Sequence, residues 1–218
     1  MKDKDISKII EILKKELYKW KPPIVTEVAN RKKDPFRILI SCVLSLRTKD
    51  DTTRGAAMRL FELADNPKDM LRLKKKIVEK AIYPVGFYRN KAENILEICG
   101  ALINKYHSKI PDEIDELLKL KGVGRKTANL VVTLGYNKPG ICVDTHVHRI
   151  SNRFGYVKTK APEETENALR KKLPKRHWII YNDLLVTHGQ NICKPISPMC
   201  SRCSVERYCD KIGVTKHR

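Results

Sequence analysis

The chain has 218 residues, too many for a bare DNA-binding module and enough for one large or two small domains with a proper hydrophobic core, so folding needs no disulfide framework. Lysine and arginine number 45 against 25 aspartates and glutamates, and the formal charge of +20 points to a polyanionic partner, nucleic acid before an anionic membrane or a merely solvated surface. The charged start Met1-Lys2-Asp3-Lys4-Asp5 and the lack of any apolar run of spanning length give the expectation of a soluble, cytosolic protein with no membrane contact.

Taken in chain order, apolar residues recur at helical spacing. Ile6, Ile9, Ile10 and Leu13 form the first such face, and Lys21-Pro22-Pro23 ends it. Ile38, Leu39, Cys42 and Val43 form the next, with a break at Asn66-Pro67 and another at Tyr83-Pro84-Val85-Gly86. Ala92, Ile95, Leu96 and Cys99 follow, then Ile110-Pro111-Asp112, where Asp112 and Glu113 are expected to sit at a helix start and favour its dipole. Leu117, Leu118 and Leu120 lead into a glycine turn, and Asn137-Lys138-Pro139-Gly140 breaks the chain again. No alternating strand pattern, internal repeat or low-complexity segment stands out, so the expected fold class is all-α.

The segment Leu120-Lys121-Gly122-Val123-Gly124-Arg125-Lys126-Thr127-Ala128 closes one helical pattern and opens another. Its two glycines permit a tight turn and close approach of backbone N–H groups to a phosphate, the arrangement of a helix-hairpin-helix that grips DNA backbone without reading bases. A G-x-G pair alone is equally a plain interhelix turn. Lys126 falls in the first turn of the following helix, where the dipole is expected to favour the neutral amine that a Schiff-base nucleophile requires; one more phosphate-pairing lysine is the alternative. Asp144, in Val143-Asp144-Thr145-His146-Val147-His148-Arg149, stands ahead of a helix, where it serves by default as an N-cap and can also supply a catalytic carboxylate.

Of seven cysteines, Cys42, Cys99 and Cys142 lie singly in apolar surroundings and suit a core. Cys193, Cys200, Cys203 and Cys209 follow a C-x6-C-x2-C-x5-C spacing in a tail with little periodicity, which a metal centre can order. Four thiolates suit tetrahedral zinc and a 4Fe-4S cluster alike, and the presence of a single C-x2-C pair favours the cluster. Lys194, Arg202 and Arg207 among them suit phosphate or solvent equally.

With the three motifs L-x-G-V-G-R-K-T-A, V-D-T-H and the cysteine loop in this order, the chain from about Ile6 to Cys209 resembles the endonuclease III family. The resemblance implies two helical domains flanking a DNA-binding cleft. One is a six-helix barrel with the hairpin over residues 26–138, and the other is built from residues 1–25 and 139–218 and holds a 4Fe-4S cluster on Cys193, Cys200, Cys203 and Cys209. It implies a bifunctional DNA glycosylase and abasic-site lyase of base excision repair. Such an enzyme removes oxidised or ring-fragmented pyrimidines from duplex DNA and nicks 3′ to the abasic site by β-elimination, with Lys126 as nucleophile and Asp144 as assisting carboxylate. A monomer is expected, with Gly122, Gly124, Arg125 and Arg149 meeting DNA.

Two positions depart from the family's pattern. Arg47, in Leu44-Ser45-Leu46-Arg47-Thr48-Lys49-Asp50, stands where the family often has a gap-filling glutamine, and Phe87 stands where it often has a leucine wedge. Arginine can donate two parallel hydrogen bonds to guanine O6 and N7, whereas a phosphate contact is the plainer role. Two other readings compete with the main one. A mismatch glycosylase of the same superfamily typically lacks the lysine, and a non-catalytic metal-containing DNA-binding protein leaves the pairing of Lys126 with Asp144 unexplained.

Overall fold

The computed structural model describes residues 3–218, and among them there are helices and no strands. The chain divides into two compact units, one of residues Ile24–Lys138 and one of Met1–Pro23 with Pro139–Arg218. The all-α fold class follows directly.

The continuous unit carries α2 (Ile24–Arg31), α3 (Pro35–Ser45), α4 (Asp50–Leu63), α5 (Pro67–Arg72), α6 (Lys75–Ile82), α7 (Tyr88–Tyr106), α8 (Ile114–Leu117) and α9 (Arg125–Leu130). Helix α3 is its centre, packed against α2, α4, α7 and α9. Its sequence explains this, because Ile38, Leu39, Ile40, Cys42, Val43 and Leu44 are apolar on every side and all are buried. The helix starts where Pro35 supplies a fixed φ and the Asp34 carboxylate accepts from the amides of Phe36 at 2.9 Å and Arg37 at 3.3 Å. Helix α5 begins in the same way, with Asn66 accepting from the amide of Asp69 at 3.0 Å ahead of Pro67. Helix α7 ends on His107 in the left-handed conformation, its amide returning to the Leu102 carbonyl.

Two local features differ from the sequence expectation. Helix α8 is a single turn with Glu113 as its N-cap, as expected of a helix start, but Asp112 lies ahead of it and both acids bind Lys138, at 2.8 and 2.6 Å; its first-turn acids are Asp115 and Glu116. Helix α9 runs on into a π-helical segment over Val131–Gly135, where the buried Thr133 hydroxyl donates to the carbonyls of Asn129 at 2.8 Å and Leu130 at 3.3 Å.

The second unit holds α1 (Asp3–Leu17), α10 (Thr145–Arg153), α11 (Pro162–Lys172), α12 (Trp178–Asn191) and an irregular tail with 3-10 turns at Cys200–Arg202 and Glu206–Tyr208. The first apolar face, Ile6, Ile9, Ile10 and Leu13, packs with Val147, Ile150, Phe154, Leu169, Tyr181, Leu184 and Val205 into one buried cluster. Fully burying each such side chain contributes about 1.5–3 kcal/mol, so this cluster accounts for the unit without cross-links. No helix among the described residues is long and apolar enough to cross a membrane.

Candidate active site and cysteine loop

The hairpin turn is built from the residues that the sequence singles out. Leu120 and Val123 are buried anchors, and the Val123 amide donates to the Leu120 carbonyl at 3.1 Å. Between them Gly122 takes φ +74°, a left-handed conformation that favours glycine. Gly124 is the N-cap of α9, with its carbonyl accepting from Ala128 at 2.9 Å. Arg125 and Lys126 are therefore the first two helical residues, both exposed, while Thr127, Ala128, Asn129 and Leu130 turn into the core. Lys126 comes near enough to α3 for its positive charge to act on the Cys42 thiol, which burial pushes up to about 12.

Arg47 and Phe87 are brought together. The guanidinium carbon of Arg47 lies 5.9 Å from the centre of the Phe87 ring, within cation–π range, and Phe87 is 63% exposed. Both residues have left-handed backbones, φ 53° for Arg47 and 57° for Phe87, which is uncommon for large side chains.

In the other unit Asp144 caps α10. Its Oδ1 accepts from the amides of His146 and Val147, each at 2.9 Å, so the capping reading of this residue is correct as far as it goes. Arg149, expected to meet DNA, is partly buried and reaches the cysteine loop. Its Nη2 donates to the Cys193 carbonyl at 2.9 Å and meets His146 Nδ1 at 3.1 Å, and its Nε is buried. Burial lowers its pKa. The guanidinium is committed to joining α10 to the cysteine loop.

Arg153, one helical turn further on, does the same and was not foreseen. It is buried, with Nη1 donating to the Lys194 carbonyl at 2.7 Å and to Cys193 Sγ at 3.4 Å, and Nη2 to the Pro195 carbonyl at 2.7 Å. The i, i+4 spacing of two arginines after Asp144 was the available signal. Cys193, Cys200, Cys203 and Cys209 line one pocket with Arg153, Phe154, His188 and Ile192. The Lys211 amide donates to Cys209 Sγ at 3.4 Å, and His188 Nε2 stands 3.7 Å from Cys203 Sγ. Among the described residues no three His, Cys, Asp or Glu side chains converge as donors to a single metal ion. Cys42, Cys99 and Cys142 are buried in the core.

Residues 40–175 match the family model described as HhH-GPD superfamily base excision DNA repair protein. Endonuclease III of Thermotoga maritima is 47% identical over 93% of this chain and 92% of its own length, and that of Bacillus subtilis is 36% identical over 84% and 87%. The structure of a trapped endonuclease III–DNA covalent intermediate in an estranged-adenine complex superposes with a TM-score of 0.85 at 35% identity, covering 97% of each chain. A helical fold with a hairpin at Gly122 to Gly124 and a four-cysteine loop thus defines a base excision DNA repair protein of the helix-hairpin-helix superfamily. Within it, the chain belongs to the endonuclease III family. Its chemistry is that of a DNA glycosylase with abasic-site lyase activity.

Proposed function

We propose that this enzyme removes oxidised or ring-fragmented pyrimidines from duplex DNA, with Lys126 as the nucleophile, Asp144 as the assisting carboxylate and a 4Fe-4S cluster on Cys193, Cys200, Cys203 and Cys209. The observation that carries the reading is the place of Lys126, exposed in the first turn of α9 directly beyond a turn whose left-handed Gly122 favours glycine. A phosphate held by the amides around Gly122 and Gly124, with Arg125 beside them, would bring the backbone of the lesion to this lysine.

The target nucleotide leaves the stack, because C1′ is closed to an amine inside the helix. The neutral Lys126 Nζ attacks C1′, and the base departs with the bonding electron pair and takes up a proton. The attached amine loses a proton, and its lone pair forms the C1′=N bond as the C1′–O4′ bond breaks, O4′ leaving with the electron pair and taking up a proton, which gives a protonated imine on the opened sugar. The imine acidifies the C2′ proton, and its removal expels the 3′ phosphate, which cuts the strand. Asp144 opposes the positive charge that develops on the sugar, an effect worth about 3–4 kcal/mol where a preorganised group is removed from comparable sites. Both cap amides meet the same carboxylate oxygen, Oδ1.

Four cysteine sulfurs set around a cavity, with N–H donors from Arg153 and Lys211 on two of them, suit a multi-iron cluster better than one tetrahedral ion with all sulfurs at about 2.3 Å. Such a cluster would order a tail that has only two 3-10 turns of its own.

Borohydride reduction in the presence of an abasic duplex tests the central claim. The wild-type chain should be captured as a covalent adduct, and Lys126→Gln should lose both adduct and strand cleavage while still binding the duplex. An adduct retained in Lys126→Gln would assign the nucleophile elsewhere.

A further inference from the structure

The buried lysine beneath the Arg47–Phe87 pair is used by none of the steps above. Lys91, on the second turn of α7, is 6% exposed, and its Nζ donates to the Leu44 carbonyl at 2.8 Å, the Leu46 carbonyl at 2.5 Å and Thr48 Oγ1 at 3.1 Å. Helix α3 ends at Ser45 with Leu46 as its C-cap, so these carbonyls are among those a helix leaves without partners. Two neighbouring carbonyls are met locally, Cys42 by the Ser45 hydroxyl at 2.9 Å and Ser45 by the Thr48 amide at 3.1 Å. An ammonium at the negative end of a helix is favourable, and three acceptors match its three donors.

The same atoms join the segment that bears Arg47 to the segment that bears Phe87. Thr48 Oγ1 also accepts from the Gly86 amide at 3.2 Å, the Lys91 amide donates to the Phe87 carbonyl at 3.0 Å, and a Cβ on Gly86 would stand 3.0 Å from the Arg47 carbonyl. Two left-handed residues, each strained on its own, are thereby fixed on either side of one buried charge. Burying that charge is costly, and burial lowers the Lys91 pKa to about 8. A methionine of similar volume would fill the space without that cost, yet could not hold three acceptors.

We infer that Lys91 is a positioning residue for lesion recognition: its ammonium presents Arg47 and Phe87 as one rigid pair for the gap that a flipped nucleotide leaves. This deepens the proposed function and rests on its assignment of glycosylase chemistry to the Lys126 surface.

The test compares two rates, single-turnover release of an oxidised pyrimidine and borohydride trapping on a preformed abasic site, in wild type, Lys91→Met, Lys91→Arg, Thr48→Val, Phe87→Ala and the double variant Lys91→Met/Phe87→Ala. Lys91→Met should slow base release by about ten- to a hundredfold, as a misplaced group does, while trapping stays within about twofold because Lys126 is untouched. Lys91→Arg should recover part of the loss. In the double variant the Lys91→Met effect should largely vanish, since both changes remove the same device. Should Lys91→Met fail to fold, Thr48→Val, which removes one acceptor shared by the two segments, must show the smaller loss in the same rate. Base release at the wild-type rate in the folded variants, or a Lys91→Met loss undiminished in the Phe87→Ala background, would overturn the inference. Failure of the underlying reading shows separately, as wild-type protein that neither releases the base nor is trapped.

Discussion

At the scale of single residues, Asp144 carries two loads that substitution can separate. Asparagine keeps an oxygen that can accept from the amides of His146 and Val147, whereas alanine keeps nothing. Asp144→Asn should therefore slow base release by two or more orders of magnitude with almost unchanged melting temperature. Asp144→Ala should in addition lose about 1 kcal/mol of stability, a typical cost for a lost cap, or roughly 2–4 °C in a chain of this size. Thermal melts beside single-turnover rates check this, and equal melting losses in both variants would contradict it. Lys91 gives a pH signature with a definite sign. Its proton is lost near 8 in the folded chain but held to about 10.5 in the unfolded one, so the unfolded state binds more protons between these values. Stability should gain a rising component from about pH 8 upward that Lys91→Met lacks, read from denaturation midpoints at pH 7, 8, 9 and 10. The first-turn place of Lys126 and the capping place of Asp144 were legible in the sequence because each sits in a short motif whose neighbours define it. Lys91, Arg149 and Arg153 were not, because their partners lie more than forty residues away along the chain and no local pattern records them.

At the scale of elements, helix ends were read best where a cap and a proline coincide, as at Asn66-Pro67. They were read worst where a distant partner decides. Glu113 is the N-cap of α8 as expected, but Asp112 lies ahead of the helix, and Lys138 binds both acids within 3 Å. The π segment after α9 depends on Thr133 and on the close packing of Gly135 against Pro35, neither of which alters apolar periodicity. Helix α10 is the element whose role changed most. It begins at Asp144, and Arg149 and Arg153 on its later turns hold the carbonyls of Cys193, Lys194 and Pro195, so the proposed carboxylate and the cysteine loop share one rigid support. Hydrogen bonds to a charged group contribute about 1.5–3 kcal/mol each, and Arg153 makes two short ones to carbonyls. Arg153→Leu should cost about 3–5 kcal/mol and lower the iron content of the purified protein, and the residual base-release rate per folded chain should fall as well. Iron analysis beside chemical denaturation checks this. Full iron content in a destabilised variant would show that the arginine braces the helix alone.

At the scale of the whole molecule, the formal charge of +20 was the first indication of a polyanionic partner, and it persists after the ion pairs of the fold are taken into account, because pairing consumes acids that are already in the sum. Charge of this kind gives affinity and association rate without sequence preference, while the strained residues and glycine turn supply position. The division of labour is testable with salt. Binding of Lys126→Gln to a duplex should weaken linearly in log salt with a slope of about −0.9 for each phosphate neutralised. Arg125 is exposed beside the Gly122 to Gly124 turn, so Arg125→Ala should reduce that slope by about one unit and weaken damaged and undamaged duplexes by the same factor. Arg47→Gln should behave in the opposite way, leaving the slope almost unchanged while narrowing the ratio of release rates opposite guanine and adenine, because a guanidinium that reads O6 and N7 releases no condensed counterion. A slope that falls by one in Arg47→Gln, with equal slowing opposite both bases, would instead make Arg47 a phosphate ligand and leave Phe87 alone to hold the gap.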